Sequence, residues 1–119
     1  MLVSGTKIED LVVDGVSFGP SPAGSTVSAV TVQTGPNPSV IGTLTVKNVC
    51  AVGAQIRVAY VLGVGTSVTD LFMNSVRQDG VDYAASRPLA VDTAGSVSRV
   101  FMTNVRATNL QHGIGIGVS

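Results

Sequence analysis

The sequence predicts an all-β fold, a β-solenoid of about four coils forming a single domain over residues 1–119. Three observations carry that expectation. A nine-residue pattern of apolar and polar positions occurs four times. Each copy is followed by a second apolar stretch and a turn-rich linker of drifting length, which is how a stacked-rung architecture reads. The composition is that of strands: 22 of 119 residues are valine, while aromatics are only 4%. β-branched side chains are stiff at χ1 and pack well on a pleated surface.

The four copies are Ile8–Val16, Ile41–Val49, Val68–Val76 and Val97–Val105, so their offsets are 33, 27 and 29 residues. Within each, an apolar pair sits two apart (Leu11 and Val13 in the first copy), and residues two apart in a strand share a face. Asp14-Gly15, Lys47-Asn48, Asn74-Ser75 and Thr103-Asn104 then read as corners, because these types tolerate left-handed geometry or bond their own backbone. The next valine (Val16, Val49, Val76, Val105) is expected to point inward again from a second short strand. Leu11, Leu44, Leu71 and Val100 are expected to lie one over another, as are Val13, Val46, Met73 and Met102.

The second apolar stretches are Val27–Val32, Ile56–Val58, Val81–Tyr83 with Leu89–Val91, and Ile114–Val118. Each is expected to be a strand of period two. The linkers Gly19–Gly24, Gly35–Pro38 and Gly63–Thr66 are rich in Gly and Pro and read as turns. An immunoglobulin-like sandwich also has short, evenly spaced strands, but it does not call for one nine-residue template four times. Helical repeats need a 3.6-residue period over ten or more residues, which the Gly and Pro content forbids.

The charge pattern excludes several classes of function. Lys+Arg and Asp+Glu are each 7, so no net field exists to steer nucleic acid or an anionic membrane. Charged residues are 12% of the chain, about half the usual 25%. No apolar run is long enough for a transmembrane helix. The opening Met1–Lys7 lacks the basic-then-apolar order of a signal peptide. With so few charges to defend strand edges, neighbouring subunits or further parts of the same chain are expected to cover part of the surface, so the domain reads as a fragment or subunit of a larger assembly. No polar cap is recognisable at either end of the pattern, so another subunit, another domain or further residues of the chain are expected to meet each end. Phe72 and Phe101 share a template position between two inward residues; they are expected to face outward, stack, and mark a contact face.

The Leu-x-Val-x-Asn-Val type of coil resembles the right-handed parallel β-helix superfamily of pectin-lyase-like proteins, which includes pectate lyases, polygalacturonases and bacteriophage tailspikes. The resemblance covers nearly the whole chain as a coil pattern. It implies a right-handed parallel β-helix. Its nearest implied role is a structural or binding module of a bacteriophage virion: a tailspike, fibre, appendage or capsid-associated protein. A homo-oligomer, with a trimer favoured, or contact with neighbouring virion proteins is implied, because side-by-side columns bury exposed faces. The expected location is the virion, or the cytoplasm before assembly.

The same resemblance supplies the alternative, a carbohydrate-active fragment acting on a polysaccharide. Gln111–Gly117, with the chain's single histidine, His112, is similar to the Gly-His-Gly-Ile-Ser-Ile-Gly stretch of polygalacturonases. Gln78-Asp79-Gly80-Val81-Asp82 resembles that family's acidic coil. Glycoside hydrolysis needs one carboxyl as acid and one to activate water; Asp79 and Asp82 are the candidates, with His112 one coil away. The family's tandem Asp-Asp is absent, and the expected catalytic set is therefore none. One His and one Cys are too few for zinc, and the aspartates are dispersed rather than clustered as calcium requires. Neither metal nor cofactor is expected. Cys50 follows an inward valine and reads as a partly buried structural thiol.

Overall fold

The computed structural model describes residues 1–19, 26–52, 55–79, 87–92, 94–108 and 116–118. They form nine strands: β1 (Leu2–Ser4), β2 (Lys7–Phe18), β3 (Thr26–Gln33), β4 (Val40–Val52), β5 (Gln55–Leu62), β6 (Ser67–Asp79), β7 (Arg87–Asp92), β8 (Ser96–Thr108) and β9 (Ile116–Val118). No helix occurs among the described residues, so none is long and apolar enough to cross a membrane. Odd strands make a five-stranded sheet, β1-β3-β5-β7-β9, and even strands a four-stranded sheet, β2-β4-β6-β8. Every pairing is parallel. Parallel neighbours need a crossover, and here each crossover contains a strand of the other sheet.

The four template copies lie on β2, β4, β6 and β8 in unbroken register. Leu11 pairs with Leu44, Leu44 with Leu71 and Leu71 with Val100. Val13, Val46, Met73 and Met102 form a second row, and Val16, Val49, Val76 and Val105 a third. In the five-stranded sheet, Val3, Val32, Val61, Val91 and Val118 are in line, as are Val30, Ala59, Leu89 and Ile116. The buried members of these rows join in one apolar cluster between the two sheets. Each fully buried Val, Leu or Ile contributes roughly 1.5–3 kcal/mol relative to exposure. Parallel sheets are usually covered on both faces. Here the outer face of the four-stranded sheet carries Asp10, Phe72, Asn74, Arg99 and Phe101, and that uncovered face positions the candidate site.

The corners differ from expectation in one respect. Each template copy and the valine after its corner belong to one strand of 12 or 13 residues rather than two short ones. The strand bends through a single left-handed residue: Gly15 (φ 78°), Asn48 (53°), Ser75 (55°) and Asn104 (53°). The ladder skips these four residues and resumes at the valines. Gly accepts that geometry freely and Asn tolerates it, whereas Ser does so at a cost of roughly 1 kcal/mol. A second skip falls between Glu9 and Gly42, where a Cβ on Gly42 would meet the Glu9 carbonyl oxygen at 2.6 Å.

Val27–Val32, Ile56–Val58, Leu89–Val91 and Ile116–Val118 lie on strands, but the expected alternation breaks. Ala29 and Val30 are both buried, as are Val58 and Ala59, because the ladder skips Ala29, Val58 and Pro88. Pro88, which has no N–H to give, falls at one of these skipped positions. Strand β1 was not anticipated. The stretch Val81–Tyr83 lies outside the described residues, as do residues 20–24 of the first linker and Ile114 and Gly115 of the last stretch. Between sheets, the turns are tied to one another by backbone hydrogen bonds. The N–H groups of Val40, Ser67 and Ser96 donate to the carbonyls of Thr6, Ser39 and Thr66, each at 2.9 Å. The Ser39 hydroxyl, fully buried, donates to the Gln33 carbonyl at 2.6 Å, and the Thr34 and buried Thr66 hydroxyls lie 2.9 Å apart. Buried polar groups are costly unless bonded, so these hydroxyls fix the turns.

Candidate functional site

The outer face of the four-stranded sheet is built from template positions that alternate with the core rows. One outer row is Val12, Thr45, Phe72 and Phe101. The two phenylalanines stack with centroids 4.7 Å apart and planes 12° from parallel. They remain 39% and 45% exposed, and Val12 is 56% exposed. A stacked pair contributes about 0.5–1.5 kcal/mol beyond its buried area, so the rings hold each other in place while presenting apolar surface. The local reason is the strand period: Leu71 and Met73 point inward, and Phe72 between them must point out.

Charged rows flank the aromatic one. On one side, Arg99 forks onto Asp70, with Nε to Oδ1 at 2.5 Å and Nη2 to Oδ2 at 2.9 Å. The hydrogen bond to Asp70, and after it the Asp70 charge, holds the Arg99 guanidinium above its ordinary range. On the other side, Lys47 Nζ lies 3.5 Å from Asp14 Oδ2, and Asn48 Nδ2 donates to Asp14 Oδ1 at 2.8 Å. The result is an apolar stripe between two cross-strand ion pairs. That arrangement suits packing against a flat partner with a matching stripe. Its carboxylates, Asp14 and Asp70, are both engaged in these ion pairs.

Phe72 and Phe101 are thus brought together as the sequence predicts. Asp79 is half-buried at the end of β6, level with Val52 and Thr108. Asp82 and His112 lie outside the described residues. Among the described residues no group of three or more His, Cys, Asp or Glu side chains could hold a metal ion. Cys50 is a half-buried free thiol beside Ser17 and Arg77. Described residues line hollows at two places. The larger, about 600 Å³, lies over the turns and is lined by Gly5, Thr6, Lys7, Asn37, Pro38, Val40 and Gly65. The smaller, about 340 Å³, lies beyond the corner of β6 and β8 and is lined by Ser75, Val76, Arg77, Asn104 and Arg106. Neither lining includes a carboxylate.

Sequence reasoning missed two features. The Asp70–Arg99 pair occupies the third template position of two successive copies, so the repeat itself held the signal. Arg77 and Arg106 each follow the last valine of a copy, one residue outside the nine that were compared. No family model, curated protein or solved structure matches the chain.

Proposed function

We propose that this chain is a structural and binding module whose two sheets are the faces of a short right-handed parallel β-solenoid of about four coils. In this reading it serves in a bacteriophage virion, in a tailspike, fibre, appendage or capsid-associated position, and packs as a homotrimer. The observation that carries it is the exposed Phe72–Phe101 stack in the row Val12–Thr45–Phe72–Phe101. The regular register of all four template copies supports the solenoid. The crossovers do so as well, since each passes through the opposite sheet. A partner's matching stripe would bury the aromatic row, while the flanking ion pairs set lateral alignment. A stable interface needs about 800 Å² per subunit, so the contact must extend beyond the two rings across the sheet face.

Light scattering on the purified chain tests this directly. The expected mass is three times the 12.1 kDa of one chain, falling to one chain when Phe72→Ser and Phe101→Ser are combined. Both substitutions are on exposed side chains, so circular dichroism is expected to retain the β signature. A wild-type chain that stays monomeric at high concentration and moderate salt removes the trimer and the contact-face role together.

A further inference from the structure

Past the corner, the outer row of the four-stranded sheet reads Ser17, Cys50, Arg77 and Arg106. Arg77 and Arg106 are direct partners on adjacent strands, so their backbones stand about 4.8 Å apart. Like charges placed directly opposite each other on a sheet are destabilising. Elsewhere on this sheet two cross-strand neighbours have opposite charge: Asp14 with Lys47, and Asp70 with Arg99. Here both residues are exposed, and neither forms an ion pair with any described residue. Asp79 follows two residues after Arg77 but does not line the hollow between the arginines and the corner.

That hollow has the complementary chemistry. Its polar side chains are the two guanidinium groups, the Asn104 amide and the Ser75 hydroxyl. The Ser75 hydroxyl donates to Asn74 Oδ1 at 2.9 Å, which leaves its oxygen to accept. Asn104 Nδ2 reaches that oxygen only at 3.5 Å, a long contact that a better acceptor would displace. Ser75 and Asn104 are both left-handed corner residues, so the bend of the two strands sets their side chains beside the arginine pair. We propose that Arg77 and Arg106, with Asn104 as a third donor, form a binding site for an oxyanion group: a carboxylate, sulfate or phosphate carried by a ligand. Planar guanidinium forks match such groups bidentately, and one anion between the two forks cancels their repulsion. This goes beyond the contact-face role, since it uses a different arm of the sheet and does not depend on the aromatic stripe.

The test is a titration of the 119-residue chain with sodium sulfate, inorganic phosphate and an oligogalacturonate, each against sodium chloride at equal ionic strength. The readout is the side-chain Nε–H resonances of the arginines. Saturable shifts are expected at Arg77 and Arg106 with Arg99 unmoved, and affinity weak, on the order of 1 mM for a small anion at an exposed site. Arg106→Gln is expected to weaken binding at least fivefold, Arg77→Lys less, and Arg99→Gln by under twofold. Tighter binding of the oligogalacturonate than of sulfate would assign the site to a sugar carboxylate; equal binding would assign it to small oxyanions. An equal response to chloride, parallel movement of all arginines, or unchanged affinity in Arg106→Gln would overturn the site. None of these outcomes bears on the trimer, which is read from mass.

Discussion

The inner and outer strands of the four-stranded sheet carry the same template and differ in depth. On β4 and β6, Ile41, Leu44, Val46, Val68 and Leu71 are all 0% exposed. On β2 and β8, the equivalent Ile8, Leu11, Val97 and Val100 are only partly buried, and Met102 likewise. Register is the same across all four. The template therefore decides which face a side chain takes, while flanking strands decide how dry it becomes. Identical patterns have unequal energetic weight.

The largest expected effect sharpens that contrast. Leu71→Ala removes a fully buried side chain and should destabilise by about 2–5 kcal/mol. Leu11→Ala, at the matching position of an outer strand, should cost roughly half as much, because less surface leaves a dry environment. Urea unfolding midpoints of the two variants check this. Equal losses would mean that depth does not follow strand position.

Next comes a backbone contact between an outer and an inner strand. Gly42→Ala places a methyl group 2.6 Å from the Glu9 carbonyl oxygen and should cost about 1–3 kcal/mol by forcing β2 away from β4. Amide exchange is expected to quicken around Glu9 while β6 is unchanged. Uniform quickening across the sheet would contradict a local cause.

Smaller changes are expected at the corners, where the four long strands solve one geometric problem with three residue types. Ser75→Gly should stabilise by about 0.5–1 kcal/mol, and Gly15→Ala should destabilise by about 1 kcal/mol, although space around Gly15 is open. Thermal midpoints moving in opposite directions would support the left-handed corners. A loss in both variants would argue against them.

The smallest effect is expected at the exposed Asp70–Arg99 pair. Asp70→Asn releases Arg99 toward its ordinary pKa, and the stability change should shrink further as salt screens the pair. Because the Arg99 pKa is raised, its contribution is fully present below the ordinary guanidinium range and lost only above it. No titration of stability across neutral pH should therefore trace to Arg99. A neutral-pH step abolished by Arg99→Gln would contradict this assignment.

Much of the four-stranded sheet was legible because its period and its repeat reinforce each other. Leu11, Leu44, Leu71 and Val100 could be placed in line from spacing alone, and Phe72 and Phe101 could be placed outside. The five-stranded sheet was legible only as alternation. Its breaks at Ala29–Val30 and Val58–Ala59 come from skipped ladder positions that a period of two does not encode. Three residues, Leu2–Ser4, are too few to show any period. The arginine pair escaped notice because Arg77 and Arg106 are 29 residues apart and meet only through register. The acidic and histidine motifs were read by resemblance, and of their candidate catalytic residues Asp79, Asp82 and His112 the structure describes Asp79 alone.

The in-register parallel ladder of β6 and β8 is most directly tested by paired spin labels in a Cys50→Ser background. Labels at Thr69 with Ser98, between the Val68–Val97 and Asp70–Arg99 pairs, and at Arg77 with Arg106 should both sit about 4.8 Å apart along the backbone and broaden strongly. Labels at Thr69 with Arg106, separated along the strand and past its bend, should lie up to roughly 25 Å apart by strand rise and broaden far less. Narrow spectra for the first two pairs, with broadening for Thr69 and Arg106, would show that the strands run head to tail and contradict the parallel ladder.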